Sequence, residues 1–285
     1  MATFEFGPTD RPIDLVFLHA NGFNALTYRA ILAPLAAGLR MLAIDQRGHG
    51  ATTLATVAER RVDWHDFRDD LLALLAALDL TNIVLSGHSM GGTTSLLAAA
   101  RAPGRVRRLV LLDPVILPQG APIEAGEASV LHASLIEGAL RRRAIFPNRE
   151  AAFEAYLGRG AFATWPEGMV ADFVAGGFRD LPGGEVALAC DPAWEASSYA
   201  SHGHDPWEAF RRSLCPIRIL RAERGSTCRV DDHIGELTAS GRISIETVPG
   251  TTHFLPMERP DLAGAALAEA ARSATPGDPT APGPG

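Results

Sequence analysis

Short apolar runs alternate with stretches of helical periodicity, and this alternation constrains the chain more than any other feature. Ile13–His19 (IDLVFLH), Leu39–Asp45, Asn82–Gly87 and Val106–Leu112 read as strands. Between them, Leu26–Ala37 has helical composition, with Pro34 placed to bend or divide it. Trp64–Leu80 repeats Trp64, Phe67, Leu71, Leu74, Leu75 and Leu78 at helical spacing. Met90–Ala102 is a helix of small residues stopped by Pro103. Towards the end, Pro216–Leu220 and Ile243–Val248 read as two further strands, and Leu262–Arg272 as a last helix. Strands that alternate with helices pair in parallel and need helices on both faces. The expected fold class is therefore α/β, with a mostly parallel central sheet. Sites in such sheets lie beyond the carboxyl ends of the strands.

The alternation breaks between residues 115 and 212, where Gly and Pro punctuate short helical patterns and no strand stands out. We read this stretch as a helical cap inserted into a core made of residues 1–114 and 213–272. Its aromatic residues, among them Phe162, Trp165, Phe173 and Trp194, are expected to pack the cap, some of them lining a pocket. Residues 273–285, SATPGDPTAPGPG, are low in complexity and read as a disordered tail.

Bulk properties exclude several classes. With 285 residues, 47% hydrophobic and 21% charged, the chain can bury a substantial core. A net charge of −7 gives neither a nucleic-acid footprint nor attraction to anionic membranes. The short Arg runs at 105–108 and 141–143 read as solvated faces. Cys190, Cys215 and Cys228 have no metal-ligand spacing and form no complete disulfide framework, which fits a reducing compartment. No signal peptide opens the sequence, and no apolar stretch reaches the length of about 18 residues that a membrane span needs. The expectation is a cytoplasmic monomer or homodimer that acts on a small-molecule substrate, without metal or cofactor, nucleic acid or membrane insertion.

The segment NIVLSGHSMGGTTSLLAAA carries the chemistry. Gly87-His88-Ser89-Met90-Gly91 follows an apolar strand and opens a helix of small residues. A G-x-S-x-G turn of this kind projects its serine from the tip, and its glycines avoid collisions on either side. Strain is expected at Ser89, and the helix start favours negative charge beside it. The rival reading is a dinucleotide turn, with Asp113 ending the next strand. It is disfavoured because the spacing is not G-x-G-x-x-G and the turn does not follow the first strand.

Five segments in order resemble the α/β-hydrolase family: LVFLHANGF at 15–23, DQRGHG at 45–50, GHSMGG at 87–92, LVLLDPV at 109–115 and VPGTTHFLPMERP at 248–260. The similarity covers roughly residues 13–113 and 214–268. Two strands that the family usually adds at the start have little room in the twelve or so residues before Ile13, so that edge looks shortened. The resemblance implies Ser89 as nucleophile and His253, after the last strand, as its base. His19 and His49 are expected to bond loop backbone.

The acid departs from the family's commonest pattern, because its usual slot holds Gly225 or Ser226. Asp113, at the position some members use instead, is the first choice and Glu223 the alternative. Asp231 and Asp232 fall late in the loop. The oxyanion hole is expected from the backbone N–H groups of Met90 and Asn21, with Ala20 where the family most often has Gly. Phe23 and His88 are assigned to substrate binding. The implied activity is a serine hydrolase that cleaves an ester or related acyl bond of a small, largely apolar substrate. The same site would serve acyl transfer, C–C bond hydrolysis or perhydrolysis, and the same scaffold a non-catalytic binder.

Overall fold

The computed structural model describes residues 1–118 and 127–273, with the side chains of 127–132 left aside. The seven-stranded main sheet uses β1 (Ala2–Phe6), β2 (Leu15–Leu18), β3 (Met41–Asp45), β4 (Ile83–His88), β5 (Val106–Leu112), β9 (Ile217–Ala222) and β10 (Ile243–Val248). Its order is β1-β3-β2-β4-β5-β9-β10, and only β1 runs antiparallel to its neighbour. All the strands read from sequence are present. The edge strand β1 was not expected. Phe4 and Phe6, two residues apart, pack on the core while Thr3 and Glu5 face out, the period of a half-buried strand.

Strand alternation divides the core between two faces. On β5, Leu109 and Leu111 pack with Leu71, Leu75, Leu96 and Leu97, from helices His65–Ala77 and Met90–Arg101. Val110 and Leu112 pack on the other side with Ile31, Leu32, Ala263 and Leu267. Those last residues come from Ala25–Ala37, which Pro34 divides into short helical turns as expected, and from helix Pro260–Arg272.

The stretch between β5 and β9 corrects one reading. It is mainly helical, with Glu127–Leu140, Arg149–Tyr156, Glu167–Gly177, Pro192–Ala200 and Pro206–Arg212. It also holds a small antiparallel sheet of β6 (Ile145–Phe146), β7 (Phe178–Asp180) and β8 (Val186–Leu188), in the order β6-β8-β7. Strands of two or three residues are too short to show an alternating pattern in sequence. The last helix of the stretch seats Trp207 and Phe210 among core residues such as Leu96 and Leu97. The reading of 273–285 as a disordered tail falls, beyond Ser273, outside the described residues.

The chain goes from β2 to β3 on one side and to β4 on the other, so strand order reverses between β2 and β4. A crevice opens beyond the carboxyl ends at such a point. The segments after β2 and β4, which carry Asn21 and Ser89, flank it.

Candidate active site

Ser89 sits between β4 and helix Met90–Arg101 with φ 54° and ψ −120°. Such a conformation costs a non-glycine residue about 1–3 kcal/mol and persists only where the surroundings impose it. Here the Ser89 N–H donates to the Leu112 carbonyl at 3.0 Å, and its own carbonyl accepts from Thr93 N–H at 3.1 Å. A Cβ on Gly87 would overlap the backbone of Gly91, and one on Gly91 would overlap the Leu18 carbonyl. The turn is therefore closed to larger residues at both positions.

His253 lies beyond β10, its Nε2 3.0 Å from Ser89 Oγ. On the far side of the ring, Nδ1 is 2.6 Å from Asp113 Oδ2. The structure thus brings Ser89, His253 and Asp113 into one hydrogen-bonded chain. Asp113 directly follows β5, with φ 40°, and is fully buried. Its carboxylate accepts from the Ala222 N–H at 2.8 Å, the Ser226 hydroxyl at 2.5 Å and the Thr227 N–H at 3.0 Å. Burial pushes its pKa up, but the bond and charge of His253, with the Ser226 and Ala222 donors, hold it below the ordinary value.

The loop after β9 explains why Asp113 can stand there. Ser226, one of the two positions read from sequence as the usual slot for the acid, bonds to Asp113, and Thr227 Oγ1 lies 3.3 Å from His253 Nδ1. The alternative acid is corrected: Glu223 is exposed and accepts from the Gly250 N–H at 3.0 Å, while the carboxylate bonded to His253 is that of Asp113. Asp231 is engaged by Arg221. Glu223 sits directly after the strand, so its position in sequence did not reveal where its side chain goes.

A cavity of about 250 Å³ opens over Ser89. Asn21, Phe23, Met90, Phe162, His253 and Phe254 line it, with Arg142, Glu195 and Tyr199 at one wall. Phe23 has its ring 5.0 Å from Trp165 and 6.3 Å from Phe254. The placing of His88 in substrate binding is corrected. Its side chain is fully buried and does not line the cavity. His88 Nδ1 accepts from the Tyr28 hydroxyl at 2.7 Å, and Nε2–H donates to the His253 carbonyl at 2.8 Å. Burial and the neighbouring His253 lower its pKa to about 3, so the ring is neutral and this donor pattern is fixed. Tyr28 Oη also accepts from the Ala20 N–H at 3.2 Å. His19 and His49 bond loop backbone: His19 Nε2 accepts from the Gln46 N–H at 2.9 Å, and His49 Nε2 from the Gly22 N–H at 3.0 Å.

Sequence reading missed the polar wall. Arg142 belongs to a run taken for a solvated face, yet its side chain is mostly buried and pairs with buried Glu195. Arg105 and Arg107 also spend their guanidinium groups on carbonyls, Arg105 on Leu80 and Arg107 on Ala270 and Ala271, at helix C-termini. Among the described residues there is no group of side chains that could hold a metal ion, and no helix long and apolar enough to cross a membrane.

A serine hydroxyl bonded to an imidazole that is itself bonded to a buried carboxylate can be deprotonated as it attacks, which acyl transfer requires. Several known proteins are similar to this chain. A 2-(acetamidomethylene)succinate hydrolase of Mesorhizobium japonicum is 25% identical over 248 residues, 87% of this chain and 84% of that protein. A non-heme chloroperoxidase of Kitasatospora aureofaciens is 38% identical over 128 residues, 41% of this chain and 45% of that one. Among solved structures, that of E-2-(acetamidomethylene)succinate hydrolase superposes with a TM-score of 0.78 at 21% identity, covering 95% of this chain and 94% of that one. The sequence profile of the alpha/beta hydrolase family matches residues 15–266, and the chain belongs to that family, a hydrolase by its relatives.

Proposed function

We propose that this protein is a serine hydrolase that cleaves an ester or related acyl bond through an acyl-enzyme. The observation that carries the reading is the hydrogen-bonded chain Ser89–His253–Asp113, open at Ser89 to the cavity. Ser89 Oγ attacks the carbonyl carbon while its proton passes to His253 Nε2. The carbonyl electron pair moves onto oxygen, where the N–H groups of Asn21 and Met90 receive it. Collapse expels the leaving group, which takes the proton from His253. Water then repeats the sequence on the acyl-enzyme, returning Ser89. Asp113 orients the imidazole and stabilises its cation throughout.

Residues 115–212 serve as the cap on a core of 1–114 and 213–272, and the aromatic lining favours a small, largely apolar acyl or leaving group. A second reading has one observation in its favour. Arg142 at the cavity wall would suit a substrate bearing a carboxylate, like the succinate in the name of the Mesorhizobium relative. Glu195 offsets that charge, so we rank it second.

A fluorophosphonate probe should label Ser89 and leave Ser89→Ala untouched; folded wild type that resists labelling sinks the proposal. A chain-length panel of p-nitrophenyl esters, with hemisuccinate esters beside it, then ranks the two substrate classes by kcat/KM.

A further inference from the structure

Helix Pro192–Ala200 is seated on the loops that follow β2 and β3. Asn21 Nδ2 donates to the Glu195 carbonyl at 3.0 Å. Trp194 Nε1–H donates to the Arg47 carbonyl at 3.0 Å, and Trp64 Nε1–H to the Ser198 carbonyl at 3.0 Å. The contact is close enough to dictate residue type below it. A Cβ on Gly22 would run into the Glu195 carboxylate, and one on Gly48 into the Trp194 ring. Gly22 adjoins Asn21, whose N–H is the proposed oxyanion donor. The Glu195 carboxylate is thus packed on the oxyanion loop while its carbonyl holds the Asn21 side chain.

Glu195 is buried and its charge needs a partner. Arg142 supplies it: Nη1 donates to Glu195 Oε2, and Nη2 to the Tyr156 hydroxyl at 3.2 Å. Both residues reach the cavity wall. The loop of the core and two parts of the cap therefore meet at one ion pair.

We propose that Glu195 is a positioning residue for the oxyanion loop, held in place by Arg142, so that the cap helps to set the hole and not only to cover the cavity. The proposal rests on the serine-hydrolase reading. The Asn21 N–H must point at the place where negative charge develops, and small errors in that direction weaken the bond steeply. A clamp on the Asn21 side chain and on Gly22 fixes the Asn21 Cα, and with it the direction of the nitrogen that carries the donor N–H.

The test compares wild type, Glu195→Gln, Arg142→Met and the double variant on a p-nitrophenyl ester. Each is also titrated with a trifluoromethyl ketone and the corresponding secondary alcohol. The ketone accepts Ser89 Oγ at its carbonyl carbon and leaves an oxyanion, with the serine proton on His253; the alcohol forms no such bond. In the single variants, kcat and trifluoromethyl ketone affinity should fall together, about tenfold to a hundredfold. KM and alcohol affinity should move less than about threefold. A single variant leaves one buried charge unpaired and will unfold more readily. The double variant removes both charges, so its melting temperature should recover while its kcat stays low. Wild-type kcat and ketone affinity in the double variant, or in either folded single variant, overturn the clamp. Fluorophosphonate labelling separates the two failures. An inert, unlabelled wild type removes the serine-hydrolase reading and the clamp with it, whereas a labelled, active wild type with indifferent variants removes the clamp alone.

Discussion

The site has two sides in how it is held: Asn21, Glu195, Arg142 and the His253–Asp113 pair by hydrogen bonds and charge, and Phe23, Phe162 and Phe254 by ring contacts. Phe162 lies 4.7 Å from Trp165 and 4.8 Å from Phe173 between ring centroids. Hydrogen bonds weaken quickly with angle, so the first side fixes directions. Ring contacts accept a range of tilts, here from 35° to 86° around Phe23, so the second side fixes volume. The hydrogen-bonded side should then govern rate, and the aromatic side affinity and stability.

Asp113→Asn tests the first half of that division with the largest expected effect. The amide keeps the shape but can no longer accept the Nδ1–H as a carboxylate does, and kcat should fall by about 10³–10⁴ with KM little changed. Glu223→Gln in the same assay should match wild type, because Glu223 bonds the Gly250 N–H and His253 bonds Asp113. Comparable losses in both variants would mean that the geometry around Asp113 does not control the rate.

Phe162→Ala tests the second half. Phe162 is buried against Trp165, Phe173 and Tyr156, and its loss should cost about 3–5 kcal/mol of stability by urea unfolding. KM should rise for the longer esters while kcat stays within about threefold for the protein that remains folded. A collapse of kcat at constant KM would erase the distinction between the sides.

The two sides were also unequally legible in the sequence. Ser89 could be read because its chemistry is local: strand, tight turn and helix fall within a few residues. His253 and Asn21 were singled out by the resemblance, through their places after the last and the first strand read from sequence. The main sheet was readable for the same reason, since each buried strand writes its own apolar run. Asp113 needed the resemblance, and what makes it suitable was hidden: its donors Ser226 and Thr227 lie 113 and 114 residues away. Arg142 and Glu195 are 53 residues apart, and nothing near either one announces the other. An Arg in a run of three looks solvated until the fold supplies its partner. The aromatic side was visible as composition, but which rings meet was not.

Acid gives a smaller effect that should fall on the hydrogen-bonded side. His88 drops from the ordinary 6.5 to about 3 in the fold, chiefly by burial and next by the neighbouring His253. A depressed folded pKa means that the unfolded chain binds the proton first. The stability from neutral His88 is therefore complete above about pH 6.5 and is lost as pH falls towards 3. The slope is about 1.4 kcal/mol per pH unit within that window. Burial lowers His19, His49 and His204 as well, so the wild-type slope sums several groups. The measurement is the part of the slope removed by His88→Asn in unfolding at a series of pH values. An unchanged slope would show that His88 is not the neutral donor that holds the His253 carbonyl.

Tyr28→Phe makes the finest cut, because it keeps the ring and removes one oxygen. That oxygen accepts from the Ala20 N–H and donates to His88 Nδ1, and His88 in turn holds the carbonyl of His253. The loop before the proposed oxyanion donor and the loop of the proposed base thus share a buried bridge. Burial pushes the phenol pKa up, so the group stays neutral and able to donate across the working range. The variant leaves a buried N–H and a buried ring nitrogen without this partner, which should cost about 1–3 kcal/mol. Phe17 lies against the ring, tilted, with centroids 4.7 Å apart, and should not notice the change. If direction governs rate, kcat should fall about threefold to tenfold with KM unmoved, the split expected when only a transition-state contact is disturbed. If stability drops by that amount while kcat holds, the bridge belongs to the fold and not to the rate, and the hydrogen-bonded side of the site ends at His253.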